Sequence, residues 1–419
     1  MTNQIKYNLS SIPGFNELIK TGEIISDYEK YYTKQQYNTK ANEKYSIIKY
    51  NKEFLRPDLI NTYGFLRSVI VSGQKVLSFA PPKSLSVEKF MLQYPTQYPT
   101  QYPTQNEHII VEEFVEGTMI NVFFDPDYEE NGTWQIATRN TVGADVSFYK
   151  HSNMTFNQMF MEACIYNKLD VQCLNPLYCY SFVLQHPSNR IVVPFKNPQL
   201  FLVAVYEINQ TGESITVSEA NLLEVKNSGL FDLTEIKFPD RYEFSTYTKL
   251  IETFASGNTP YTVMGVVVKN TQTGERTKIR NPIYEEVRHL RGNQSKLLYQ
   301  YICLRQSGKL SEYLKYYPET KKDMSNFRDR VHMFTNDLFK NYISCYVKKT
   351  QPLNLYLPQY KTHMFKLHEH YLNNLRPNGL YINNTEVIKY VNNLHPSLLM
   401  YCLNYNMRKR AIDTIKVEY

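Results

Sequence analysis

Two periods govern where apolar residues fall along this chain. Short β-branched and aromatic runs bounded by turn residues come first, and they predict strands at residues 64–71, 75–80, 109–114, 118–124 and 134–138. A helical period replaces them at 156–167, where Phe156, Met159, Phe160, Ala163 and Cys164 share one face. Strands resume at 178–184, 191–193, 199–206, 265–269 and 277–279, while residues 1–50 mix both signals around a turn at Ile12, Pro13 and Gly14. After Pro282 the texture changes. Phe327, Val331, Phe334, Leu338, Tyr342 and Cys345 recur every three or four positions, which predicts an amphipathic helix. Similar patterns predict helices at 294–305, 363–375 and 386–394. The expectation is a mixed α+β body over residues 1–286 and an all-helical domain over 287–419.

Composition narrows this picture only slightly. The chain has 419 residues, 42% of them hydrophobic, enough for sizeable cores rather than disorder. A formal charge of +7 is a mild bias toward anionic partners, not a basic tail. The 36 tyrosines, with many Asn, Lys and Ile, are better explained by AT-rich codons than by a functional tyrosine array. Residues 94–105 repeat YPTQ three times, and proline every fourth position excludes sheet and helix, so an extended surface excursion is expected there. The six cysteines (Cys164, Cys173, Cys179, Cys303, Cys345 and Cys402) form no CxxC pair and read as reduced thiols. No run reaches 18 apolar residues and the first 15 lack an apolar signal core. A soluble protein of the cytoplasm is expected, or of a viral factory or virion if the gene is viral.

The chemistry suggested by the strand ends is phosphate handling. Arg67 closes a TYGFLRS turn, Lys83 sits in a rigid APPKS loop, and Arg139 follows the strand at 134–138. Asn189 and Arg190 follow a Pro–Ser–Asn turn between two strand-like segments, 180–184 and 191–193, and Lys269, Lys278 and Arg280 lie at or near strand termini. Alone, each is a solvated surface charge. Together they form an ordered set of groups that pair with phosphate oxygens, arginine in bidentate fashion and lysine as a point charge.

The order of these elements resembles the covalent nucleotidyltransferase superfamily, and within it the bacteriophage RNA ligase 1 family. Leu66–Arg67–Ser68 is similar to that family's arginine turn, Pro82–Lys83–Ser84 to its PKFFN element, and Phe114–Val115–Glu116–Gly117–Thr118 to its KxDGS nucleophile motif. The run FVLQHPSNRIV, residues 182–192, matches FEYxxPxNRIV best of all. Met264–Gly265–Val266–Val267 resembles EGYV, and Lys278–Ile279–Arg280 with Tyr284 resembles the closing KxK element. The likeness covers roughly residues 45–350. It implies an α+β, ATP-grasp-like ligase body with a mixed sheet and a helical C-terminal domain, a role in RNA repair, and nucleotide or RNA phosphate binding by Arg67, Lys83, Glu116, Gly117, Thr118, Arg139, Asn189, Arg190, Lys269, Lys278 and Arg280.

Three departures fall on the chemistry. The family's lysine attacks the α-phosphate of ATP, and Phe114 stands in its place with no lone pair to attack with. Val183 and Met264 stand where the family has glutamates that hold nucleotide and Mg²⁺, and neither coordinates a hard cation. The leading expectation is therefore a pseudoenzyme that binds nucleotide or RNA ends without forming lysyl-AMP. A second reading is an active ATP- and Mg²⁺-dependent RNA ligase in which Lys83 is a displaced nucleophile and Glu112 and Glu116, on one strand face, and Glu113, on the other, supply metal ligands. A third is a structural or virion protein keeping only the scaffold. His363, His368 and His370 are spaced by five and two, which suits a polar helix face rather than a metal site. The tail at 408–410 reads as solvated, or as a weak contact to RNA backbone.

Overall fold

The structure is a computed structural model, and it describes residues 4–38, 44–95, 108–148 and 154–407. All but the first two residues of the YPTQ repeat and the tail at 408–410 lie outside the described residues. The chain divides into two compact units, Met1–Glu286 and Val287–Tyr419.

The first unit holds fourteen strands among its described residues: β1 (Ile5–Asn8), β2 (Tyr32–Asn38), β3 (Lys44–Tyr50), β4 (Val69–Ser72), β5 (Lys75–Ser78), β6 (Ile109–Glu113), β7 (Thr118–Asp125), β8 (Thr133–Ala137), β9 (Tyr178–Gln185), β10 (Gln199–Thr211), β11 (Ser214–Glu219), β12 (Arg241–Tyr242), β13 (Gly265–Asn270) and β14 (Arg276–Arg280). They form a six-stranded sheet in the order β1-β11-β10-β9-β7-β8, and two four-stranded sheets, β12-β6-β13-β14 and β2-β3-β4-β5. Every paired strand runs antiparallel.

Alternation decides what each sheet face meets. In β9, Tyr180, Phe182 and Leu184 pack on Phe156, Met159, Phe160 and Ala163 of the helix Phe156–Tyr166. That helix begins in a capping box, with Thr155 accepting from the Gln158 N–H and Gln158 accepting from the Thr155 N–H. In the β12-β6-β13-β14 sheet, Val111, Val266, Val268 and Ile279 point the other way, onto Phe90, Tyr247 and Leu250. Burying each of these large side chains contributes about 1.5–3 kcal/mol. The opposite face of the same sheet is left with Arg276, Lys278 and Arg280, directly across from Lys269, Val267 and Gly265.

Two expected strands need correcting. The segment from 64 is first a 3-10 turn, Tyr63–Phe65, and pairs only from Val69. Residues 191–193 are not a strand and form no hairpin with β9, because β7 and β10 already occupy both of its edges. The described residues of the second unit are helical, with no strand among them. Its long helix Lys321–Tyr342 buries Val331, Phe334, Leu338 and Tyr342, and Tyr360 of the helix Pro358–His370 stacks on Phe334 at 5.4 Å. His363 does not belong to a polar face: it is buried and bonded to the Tyr390 hydroxyl at 2.8 Å and the Cys402 sulfur at 3.1 Å.

Candidate phosphate-binding site

Backbone hydrogen bonds lock the basic segments of the first unit together. The Tyr63–Phe65 turn sets up Arg67, whose Nη1 donates to the Pro81 carbonyl at 3.4 Å. The Pro81–Pro82 pair removes two N–H donors and stiffens the loop. The Lys83 N–H then donates to the Gly64 carbonyl at 2.9 Å, and the Leu85 N–H to the Arg276 carbonyl at 2.8 Å. Arg276 reaches back through Nη2 to the Pro82 carbonyl at 2.5 Å. Arg67, Lys83 and the three cations of β14 are therefore built on mutually fastened backbone.

Phe114 lies under two of these cations, Lys278 and Arg280. Its N–H donates to the Gly265 carbonyl at 3.1 Å, which aligns the end of β6 with the start of β13. Gly265 has φ +122°, and a Cβ there would sit 2.1 Å from the Ile279 carbonyl oxygen, so only glycine allows this approach. The Lys278 Nζ stands 4.3 Å from the centroid of the Phe114 ring and the Arg280 guanidinium carbon 5.2 Å from it. Lys278 has neither a hydrogen-bond acceptor nor a carboxylate partner among the described residues.

The neighbouring cations depress one another's protonation. Burial, reinforced by Arg276, Arg67, Arg280 and Lys83, pushes the Lys278 ammonium down to about 6. Burial, then Arg276 and Arg139, brings Arg67 to about 10, still a cation at neutral pH. Lys83 is lowered by burial and by Arg67, Arg280, Lys52 and Arg139. Arg139 itself lies over the Tyr50 ring at 5.4 Å. Glu285 pairs with Arg280 at 2.6 Å.

Other expected site residues are engaged elsewhere. Lys269 faces Arg276 across the ladder, but its Nζ is 2.5 Å from Glu219, so its charge is already paired. Glu116 lies beyond the end of β6, so the strand alternation expected to align it with Glu112 does not reach it. Its buried carboxylate accepts from the N–H groups of Val192 (2.7 Å) and Val193 (3.1 Å), fastening residues 191–193 to the β6–β7 loop. Burial raises its carboxyl to about 7 against these donors, Arg190 and the Tyr284 hydroxyl. Gly117, at φ +150°, lets that loop pass the Leu184 carbonyl, which a Cβ would approach to 2.5 Å. Thr118 accepts from the Asn189 amide at 2.8 Å, and the Arg190 Nε donates to the Val192 carbonyl at 3.0 Å. These residues clasp the scaffold.

A divalent metal does not fit the donors present. Glu112 pairs with Arg241 at 3.2 Å, and Glu113 is half-buried, with its carboxyl raised chiefly by burial. Val183 packs against Val115 and Phe201. Met264 adds only a backbone carbonyl, which accepts from Asn281 at 3.1 Å. Among the described residues no three His, Cys, Asp or Glu side chains converge to hold a metal ion. Arg276 escaped sequence reasoning because the strand was expected only at 277–279, one residue short of it. The alternation Arg276, Lys278, Arg280 was its signal.

No family model matches the chain. An RNA ligase of Rhodothermus phage RM378 is 23% identical over 269 residues, which cover 57% of this chain. This chain is similar to RNA ligases. It spans about half, 54%, of that relative's length. Among solved structures, a Naegleria gruberi RNA ligase mutant with ATP and Mn matches over 60% of this chain and 76% of its own, at 13% identity and a TM-score of 0.35. A second mutant of the same ligase, with AMP and Mn, matches over 50% and 57%, at 14% identity and a TM-score of 0.34. No helix among the described residues is long and apolar enough to cross a membrane.

Proposed function

We propose that this RNA-ligase-like chain binds the phosphate groups of an RNA end or nucleotide without forming a covalent nucleotidyl-lysine. The observation that carries this reading is Lys278, an amine without an anionic partner among the described residues, resting on Phe114 and held largely neutral at pH 7 by burial and by Arg67, Lys83, Arg276 and Arg280. An arriving anion would stabilise its protonated form, and phosphate oxygens offer several acceptors at once. A phenyl ring cannot attack an α-phosphate, and the nearby carboxylates are committed to Arg241, Arg280 and the Val192 and Val193 N–H groups.

The lowered pKa of Lys83 favours the active-ligase reading, since a neutral amine is what a displaced nucleophile needs. One experiment separates the two. The protein is incubated with α-labelled ATP and a divalent metal, and label stable to denaturing electrophoresis is sought. The proposed function predicts no labelled band. A band lost in Lys83→Ala would establish the active ligase instead.

A further inference from the structure

Next to the cation cluster lies a cavity of about 260 Å³, and the two share Lys83 and Arg276 as a common wall. Arg276 donates through Nη2 to the Pro82 carbonyl, while its buried Nε has no hydrogen-bond partner among the described residues. An amide and carboxylate group also lines it: Glu275 accepts from the side-chain amides of Asn61 at 2.5 Å and Gln93 at 2.6 Å. Two aromatic residues, Tyr7 and Phe65, are part of the lining. Tyr7 is buried, with its hydroxyl donating to Glu219 at 2.8 Å, and meets Phe65 edge to face at 5.3 Å. Phe65 is half-buried and also lines the cavity.

We infer that this cavity takes the nucleoside of one phosphorylated nucleotide, with the base against Phe65 and the amide group and the phosphate on Arg276 and Lys83. The volume is slightly below the about 300–1,000 Å³ of small-molecule pockets, so it suits one nucleotide and not an oligomer. An aromatic face accepts any base by stacking. Amide and carboxylate groups together offer the donors and acceptors that read a base edge. The assignment rests on the phosphate-binding reading above and adds the group that follows the phosphate.

The test compares AMP, GMP, CMP and UMP with inorganic phosphate by titration calorimetry at low salt. At least one mononucleotide is expected to bind at least tenfold more tightly than phosphate. Thr273→Trp and Asn61→Trp, both at exposed lining positions, each place an indole in the cavity. Both should erase the difference, and Thr273→Trp should leave phosphate affinity unchanged. Equal affinity for nucleotides and phosphate in the parent, or a preference that survives both substitutions, overturns the cavity site while the cation cluster stands. Absence of binding by phosphate and nucleotides alike overturns the cluster and the cavity together. A 5′-phosphorylated tetraribonucleotide then names the source, since competition points to an RNA end and its absence to a free nucleotide, and either result supports the site.

Discussion

Protonating an amine half-buried on an aromatic ring among four cations carries a cost that a bound anion would offset. Because burial and its neighbours lower Lys278 to about 6, the unfolded chain, with lysine near its ordinary 10.5, holds the extra proton between those values. Stability should therefore rise with pH across that window, and Lys278→Met should flatten the slope. Its stabilisation at pH 6 should fall within the about 0.5–3 kcal/mol usual for single substitutions. Urea unfolding of both proteins between pH 6 and 9 checks this, and a parallel pH dependence in the two would contradict it. Glu116 behaves with the opposite sign. Its folded pKa is raised to about 7, so its contribution is complete below the ordinary carboxylate range and is lost as pH rises through 7. Glu116→Gln keeps an acceptor for Val192 and Val193 and should cost less than about 1 kcal/mol. Glu116→Ala orphans two N–H groups and should cost about 1–3 kcal/mol for each one left unsatisfied. Equal midpoints for the two variants in a thermal melt would refute the clasp. The basic residues were legible as types in the sequence, but which of them were already paired was not. Lys269 and Glu219 are far apart in the chain, and only the fold brings them together.

At the scale of elements, legibility followed burial. The helix Phe156–Tyr166 and the strands β6, β7, β9 and β13 carry strong apolar periods because one or both faces are packed, and each was found within a residue or two. The strands β1, β2 and β3 were blurred by polar positions, as in the run YTKQQYN of β2, which offers little periodic contrast. Residues 191–193 have strand-forming side chains, yet neighbour occupancy overrode that propensity, since β9 has no free edge to offer. Proline, asparagine and glycine turns were legible in the sequence, but the need for glycine at 265 is geometric. Gly265→Ala should be among the most damaging single-methyl additions in the chain, because the colliding atom is the Ile279 backbone oxygen and cannot swing aside. The expected cost is about 1–3 kcal/mol from overpacking and backbone strain. It should be accompanied by loss of anion binding, because β14 would have to shift with its three cations. Denaturant unfolding gives the first effect and phosphate titration the second. A variant with parent-like values in both would show that β13 and β14 are not held in this register.

For the whole molecule, the consequence of a preorganised cation cluster is a salt-dependent affinity for polyanions. A net charge of +7 over 419 residues adds little steering by itself, so the dependence should come from the few groups that converge. If about four phosphates of a single strand are neutralised, the log–log slope of affinity against salt should be near −3, since each contact contributes about 0.7. Lys278→Ala should weaken binding and make the slope shallower by about 0.7, and Lys278→Ala with Arg280→Ala should remove about twice that. Lys269→Ala is the control, because that cation is already paired with Glu219 and should leave the slope unchanged. Fluorescence anisotropy with a 5′-labelled oligoribonucleotide over a salt series measures all four proteins. Parent-like affinity in the double variant at low salt would move RNA off this face of the β12-β6-β13-β14 sheet. The scaffold-only reading would then account for the chain better, because the unpartnered Lys278 would have lost the one ligand class that explains it.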